Sequence, residues 1–441
     1  MSGTINANLT TRRQAEDSFR QIIRGQFISV QYTALPNTNF KEPQFSPKSP
    51  TKDTSFFSPA MSHKIYFEPK KLEIELIQDD SQFQYREKQV EKSEAEIVIK
   101  KLPDSLSKAI HIIDSVNSGV GRSEKKNIYT HIINPLFTSL NIKYQHFKTE
   151  SADSIAEFAS NFQDQDATVI FLSGDTSVTE FINALNPAGS GPISIFPIPT
   201  GTGNSFALSL GLTDPIKSIV SLLQAEKVSP LYLFTADIPK GTRYLVQNEL
   251  KEEVHSPTHF IVVFSWAFHA SLVADSDTPE LRKHGIQRFR IAAGKNLSRE
   301  QKYEADFLIN DEVISGPFAY WVLTPSKKFE PTFDISPKGN IFDDNLYLIA
   351  FRTKPGDGNY IMDIMKQVYD GGSHIDNPDV IYREITPKDR VQLKLKGSKE
   401  LLQRRFCVDG SIIALPDAKE SSITIQVKDN TLGKWKLYIL H

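Results

Sequence analysis

"ATVIFLSGDTSVTEFINAL", residues 167–185, passes from an apolar run through a turn of small polar residues into a second apolar pattern of different period. Residues 167–172 read as a strand buried on both faces, whereas Val178, Phe181, Ile182 and Leu185 recur on one face of a helix. Ser177 with Glu180 three residues on has the form of a capping box, which predicts where that helix begins. A strand-to-helix turn delivers free backbone N–H groups that favour an anion, and Ser173, Gly174 and Thr176 are small enough for a phosphate to approach. Asp175 is the odd member. A carboxylate repels phosphate unless a metal or a proton intervenes, so it suits a magnesium partner or a group that orients an attacking hydroxyl. The plainer alternative is a turn aspartate that accepts hydrogen bonds from its own backbone.

The same unit recurs on both sides. "KAIHIIDSVNSGVGR" (108–122) reads as a buried strand entering a small-residue loop, and "KKNIYTHIINPLFTSL" (125–140) follows at helical spacing. "ISIFPI" (193–198), "PTGTGNS" (199–205) and "FALSLGL" (206–212) repeat strand, loop and helix. Strands alternating with helices predict right-handed βαβ units, and glycine loops on successive units open at one sheet edge, where ligands of such sheets bind. Gly201 and Gly203 would let a ligand approach the backbone, while Thr202, Asn204 and Ser205 offer hydrogen bonds. Beyond about residue 230 the pattern turns to β, with "HFIVVFSWAFHASLV" (259–273), "PFAYWVLTP", "NLYLIAFRT", "DRVQLKLKG", "SSITIQV" and "KWKLYIL" as strand candidates.

The 441 residues exceed one ordinary core, and about 150 residues per domain predicts two or three units. They divide into an extension over 1–100, an α/β unit over 105–230 and a β-rich unit over 231–441. Within the extension, the Pro-, Ser- and Lys-rich stretch 34–60 has too little apolar surface to fold, and its Ser46-Pro47, Ser49-Pro50 and Ser58-Pro59 pairs read as solvated linker or as phosphorylation sites. "HKIYFEPKKLEIELIQDD" (63–80) alternates and predicts strands. Lys+Arg 51 against Asp+Glu 53 leaves no basic excess for nucleic acid. The single Cys407 excludes an internal disulfide and a cysteine zinc site, which fits a cytoplasmic location. No apolar stretch reaches the roughly 18 residues of a membrane span, so any membrane contact would be peripheral. The ten histidines show no metal-ligand spacing.

Standard phosphate motifs fail: Phe206 stands where a dinucleotide fingerprint needs its third glycine, and Phe289 where a P-loop ending at Gly294-Lys295 needs its first. Instead "SGDTSVTEFINAL" followed by "IPTGTGNSFALSLG" resembles the paired glycine motifs of the diacylglycerol-kinase-like lipid kinases, the leading serine being most similar to the sphingosine kinase branch. "HIIDSVNSGVGR", "FKTESADSIAEFA", "FSWAFHASLVADSDTPELRKHGIQRF", "FDDNLYLIAF" and "FCVDGSIIALP" resemble further segments of that family in the same order, over roughly 108–440.

The resemblance implies an α/β plus all-β chain: a NAD kinase/phosphofructokinase-like three-layer α/β domain, then an antiparallel β-sandwich that binds lipid. It implies ATP and Mg2+ in the cleft between them and Asp175 as the acid that activates a lipid hydroxyl. Nucleotide-binding positions by the same resemblance are Ser118, Gly119, Thr149, Ser173, Gly174, Thr176, Glu180, Gly201, Thr202, Gly203, Asn204 and Asp409, with Arg282 and Arg288 facing phosphate. Guanidinium groups grip phosphate oxygens in pairs, although "LRKHGIQRFR" also reads as a solvated basic face. Trp266 and Phe268 would line an acyl pocket or pack in the core, and Ser271 stands where sphingosine kinases place an aspartate near the substrate amine. Other departures are Thr176 for glycine, Ser115-Val116 for Asn-Pro, Asn345 for the glycine of Asp-Asp-Gly, and Ser411 for the acid of Asp-Gly-Glu. No residue is assigned to a metal. The expected function is an ATP-dependent lipid kinase acting on a sphingoid base or a diacylglycerol-like lipid. The alternatives are a catalytically degenerate lipid- or nucleotide-binding member and, less favoured, an NAD kinase.

Overall fold

A parallel sheet organises the first half of the molecule. The computed structural model describes residues 61–79, 81–116, 123–201, 203–285, 287–397 and 399–441. The calls on 34–60, including the Ser-Pro pairs, lie outside the described residues. The strands Ala109–Asp114, Gln145–Lys148, Ala167–Ser173 and Ser190–Pro199 run parallel, with Ala167–Ser173 between Ala109–Asp114 and Ser190–Pro199. Every residue of Ala167–Ser173 is buried. Its alternate side chains enter two separate cores, Val169 and Phe171 on one face and Ile170 and Leu172 on the other. A strand covered on both faces favours apolar residues on each, which is why the opening run lacks alternation; its two hydroxyls, of Thr168 and Ser173, donate to Ser105 O and Gly174 O.

Met61–Phe67 and Leu72–Gln78 form an antiparallel hairpin, extended by Phe83–Gln89 and Ile97–Ile99 into a four-stranded sheet. Ile65, Phe67, Leu72, Ile74 and Leu76 face inward at period two and join Ile110, Ile112, Ile132 and Ile219 in one core. This small sheet therefore covers part of the parallel sheet.

The second half contains an eight-stranded and a six-stranded antiparallel sheet. Trp321 and Leu323 of one share a core with Phe307, Leu393 and Ile425 of the other. The neighbouring Tyr320 and Val322 point the other way, toward the α/β unit. Two features depart from the sequence-based expectation. In 259–273 the strands are the end of Thr258–Phe260 and Phe264–Ala267, and the helix Phe268–Ser276 follows where Ala267 takes φ 60° and ends the extended run. The last strand, Lys434–Leu440, belongs to the parallel sheet, beside Ser190–Pro199, and not to the β-rich sheets.

Candidate functional site

Register places the two glycine loops side by side. Ser173 pairs with Pro199, so the parallel strands end level, and Thr200 N–H donates to Ser173 O at 3.3 Å. A Cβ on Gly174 would lie 3.2 Å from Gly203 O, and one on Gly201 would lie 3.2 Å from Gly174 Cα. Close backbone approach, not unusual φ, is what requires glycine at both positions. The helix that follows is Asp175–Ala184, with Gly174 as its N-cap and no side-chain cap, so it begins ahead of the capping box predicted at Ser177.

Asp175 links the loops. Its Oδ2 accepts from Ser205 N–H at 2.8 Å and its Oδ1 from Phe206 N–H at 2.9 Å. Those N–H groups open the short helix Ser205–Ser209, which Asn204 also caps by accepting from Ala207 N–H at 2.7 Å. Asn204 Nδ2 donates to Ser173 O, so this amide is engaged at both ends by the protein. The Asp175 carboxyl is pushed up to about 7, chiefly by burial, with the two N–H groups opposing and the charge of Asp409 adding to the rise. Glu180 also rises to about 7, from burial and the charge of Asp153.

Across the cleft stands Asp409, 1% exposed and at φ 44°. Its carboxylate accepts from Ile261, Val262 and Val263 N–H at 2.7, 2.9 and 2.6 Å and from Thr179 Oγ1 at 2.6 Å. The resemblance implies Asp409 as a nucleotide contact; it lines the cavity, and these four protein donors also take up its oxygens, so that it fastens the β-rich unit to the helix Asp175–Ala184. Thr176 adds to this seam, its hydroxyl donating to Asp409 O at 2.9 Å. A Cβ on Gly410, at φ 92°, would lie 2.5 Å from Thr176 Oγ1. Thr176 is helical, so the departure from glycine there carries no left-handed strain.

Arg282 and Arg288 meet at Asp277. Arg282 donates from Nε and Nη2 at 2.8 and 2.9 Å, and Arg288 from Nη1 at 3.3 Å. Two guanidinium groups thus share one carboxylate, and the buried Nε of Arg288 has no acceptor. Both arginines line the cavity of about 2000 Å³ that also holds Gly174, Asp175, Gly201 and Gly203.

Other predicted residues divide. Thr149 lines this cavity, its hydroxyl accepting from Val116 N–H at 3.3 Å, and Thr176, Glu180, Asn204, Phe268 and Asp409 line it too. Ser173, Trp266 and Ser271 do not. Ser173 is fully buried and donates to Gly174 O. Trp266 stacks on Phe406 in the core between the antiparallel sheets and donates to Gln403 O. Ser271 is fully buried against Tyr303 OH at 2.9 Å. The calls on Ser118, Gly119 and Thr202 lie outside the described residues. Unforeseen were the aromatic and methionine walls: Tyr320, Phe329, Phe333, Met362, Met365 and Tyr369. They come from a strand, a loop and the helix Tyr360–Tyr369, and only the inward alternation of Tyr320 hinted at such a role.

Magnesium finds little to hold it. Among the described residues no three His, Cys, Asp or Glu side chains gather as a metal site. Asp409 is consumed by protein donors, and the acidic pair Asp343 and Asp344 lies off the cavity. No described helix is long and apolar enough to cross a membrane.

Residues 111–236 match the model of the diacylglycerol kinase catalytic domain. The chain is 36% identical over 118 residues to sphingosine kinase B of Dictyostelium discoideum, covering 25% of this chain and 15% of that protein. It is 31% identical over 120 residues to sphingoid long-chain bases kinase 1 of Arabidopsis thaliana, covering 26% and 16% respectively. The chain therefore spans about one sixth of the length of these curated relatives. A solved Bacillus anthracis str. Sterne protein assigned to the diacylglycerol kinases superposes with a TM-score of 0.50 at 16% identity, covering 75% of this chain and 96% of that one, a likeness of fold alone. The resemblance drawn from the paired glycine motifs is thus borne out over residues 111–236.

Proposed function

We propose that this chain is a lipid kinase that moves the terminal phosphoryl group of ATP to a hydroxyl of a lipid held in the apolar part of the cavity. The observation that supports this best is the position of Asp175, a carboxyl with its pKa near 7 where two packed glycine loops meet, in a cavity shared by an arginine pair and aromatic walls. A base of that pKa is matched to proton transfer at neutral pH. Asp175 accepts the proton of the lipid hydroxyl as its oxygen bonds to the γ-phosphorus and the bond to the β-phosphate oxygen breaks; the proton then passes to solvent. The nucleotide, when bound, supplies the phosphoryl group and ADP as the leaving group. Gly174, Gly201 and Gly203 admit its phosphates to the backbone. Thr149, Thr176, Glu180 and Asn204 flank it, and Ser118, Gly119 and Thr202 complete the set by their motifs. Arg282 and Arg288 hold phosphate oxygens, and because among the described residues Asp277 is the one carboxylate they share, the pair keeps a net positive charge. Phe268 belongs to the lipid wall. No step is assigned to a protein-held metal.

The division of labour proposed is nucleotide on the α/β unit, now including 434–440, and lipid against the β-rich unit. The enzyme would work in the cytoplasm with peripheral membrane contact to collect its lipid. Ser411 and the occupied Asp409 favour one rival, a non-catalytic member that binds nucleotide or lipid. Incubation with radiolabelled ATP, Mg2+ and separate lipid classes tests both. A labelled lipid from wild type, reduced at least about 100-fold in Asp175→Asn, supports the kinase. Nucleotide binding without product in any class supports the rival.

A further inference from the structure

The apolar arm of the cavity contains a polar cluster that phosphoryl transfer does not use. Tyr320 is 1% exposed, lines the cavity, and its hydroxyl has no hydrogen-bond partner. Tyr369 OH donates to Glu330 Oε2 at 3.1 Å and lies close enough to Tyr320 to act on it electrostatically. Among the described residues no cation pairs with Glu330. Lys328, two places before it, turns instead to Pro331 O and Asp334. His269, its ring 6.1 Å from that of Tyr320 and 5.4 Å from that of Phe329, is neutral near pH 7 because burial pushes its pKa down to about 4. Phe333 meets Tyr369 edge to face at 4.9 Å. The cluster therefore offers one carboxylate, two phenols and aromatic faces, with no positive charge of its own.

A ligand that completes this set must bring hydrogen-bond donors and positive charge. Burial raises the pKa of Glu330, and among the described residues the Tyr369 hydroxyl is the one donor that opposes the rise, so a cationic head would restore its charge whereas an apolar head would bury it further and leave it without a counter-charge. An ammonium group suits both the carboxylate and the ring faces. Position agrees with this. Ser205 N–H donates to Asp175 while Ser205 Oγ donates to Lys328 O at 2.6 Å, so the segment bearing Glu330 is joined to the reacting carboxyl through a single residue.

We infer that Glu330, with Tyr369 and the unpartnered hydroxyl of Tyr320, is the specificity-determining subsite for a protonated amine on the head of the lipid. Its place in catalysis rests on the kinase proposal; its ligand binding does not.

Titration calorimetry of the full chain with dodecylamine and dodecanol at neutral pH, on wild type and Glu330→Gln, tests it. Wild type should bind the amine about tenfold or more tightly than the alcohol, and Glu330→Gln should erase that preference with alcohol affinity unchanged. Equal affinities in wild type, or a preference that survives Glu330→Gln, overturn the subsite. If Glu330→Gln does not fold, Tyr320→Phe carries the test. It removes a hydroxyl that has no partner, so stability should hold while amine affinity falls by about threefold; unchanged amine affinity counts against the subsite. Phosphorylation of a long-chain 2-amino-1-alkanol and of a monoacylglycerol is measured on the same preparations. Amine preference with no product from either lipid refutes the kinase and leaves the subsite standing; product without amine preference does the reverse.

Discussion

Replacing Asp409 by alanine tests the seam between the two units. The substitution leaves three buried N–H groups, of Ile261, Val262 and Val263, and the Thr179 hydroxyl without their acceptor. Each unsatisfied buried donor costs about 1–3 kcal/mol, and water entering from the adjoining cavity recovers part of that. The net loss expected is about 3–5 kcal/mol, a large share of the roughly 5–15 kcal/mol that holds a typical domain folded. Asp409→Asn keeps one acceptor and turns an NH2 toward donors, so it should fall between alanine and wild type. Thr179→Val removes a single bond and should cost about 1 kcal/mol. Urea unfolding followed by far-ultraviolet circular dichroism and by tryptophan fluorescence supplies the measurement. Trp435 reports on the parallel sheet and Trp266 and Trp321 on the antiparallel pair, so a loosened seam should also separate the two signals. An alanine variant within 1 kcal/mol of wild type, with coincident transitions, would refute the seam.

Because the Asp175 pKa is raised to about 7 and the deprotonated carboxylate is the working form, kcat/KM should rise with pH up to about 7, tenfold per unit below it. Glu180→Gln should leave that limb in place, although Glu180 also titrates near 7; loss of the limb would reassign it. Gly201→Ala forces two backbones apart and should lower stability by about 1–3 kcal/mol and raise the KM for ATP, whereas Gly203→Ala, whose Cβ meets nothing within 4 Å, should be near neutral in melting temperature. Arg288→Ala should weaken nucleotide binding by about tenfold, and Asp277→Ala, which frees both guanidinium groups, should not; equilibrium dialysis with ATP distinguishes them.

The parallel sheet and its paired loops were legible because burial on both faces makes 167–172 apolar at every position but Thr168, and small residues mark the turns. The start of the helix was misplaced because Gly174 caps through its backbone, which leaves no polar side chain as a signal. The helix Phe268–Ser276 was hidden for a related reason. Phe268 and Leu272 face the cavity while Ala270 and Ser271 are also buried, so no polar face reveals a period. Strand Lys434–Leu440 was recognised, but a strand's own pattern does not say which sheet receives it. Asp409 looked like a ligand because its short motif cannot show that the N–H groups of 261–263 converge on it. The cluster of Glu330, Tyr320 and Tyr369 comes from three separate elements, and no spacing connects them.

Strand Lys434–Leu440 also orders events in time. It lies between Ser190–Pro199 and the short strand Val228–Pro230, so the sheet begun near residue 109 stays open along one side until more than 230 further residues have been synthesised. The parallel sheet therefore receives its last strand only after the strands of both antiparallel sheets have been synthesised. Chains extended by a C-terminal linker and stalled with residue 425 just outside the exit tunnel should be cut by protease around 190–199, and emergence of the last strand should abolish that cleavage.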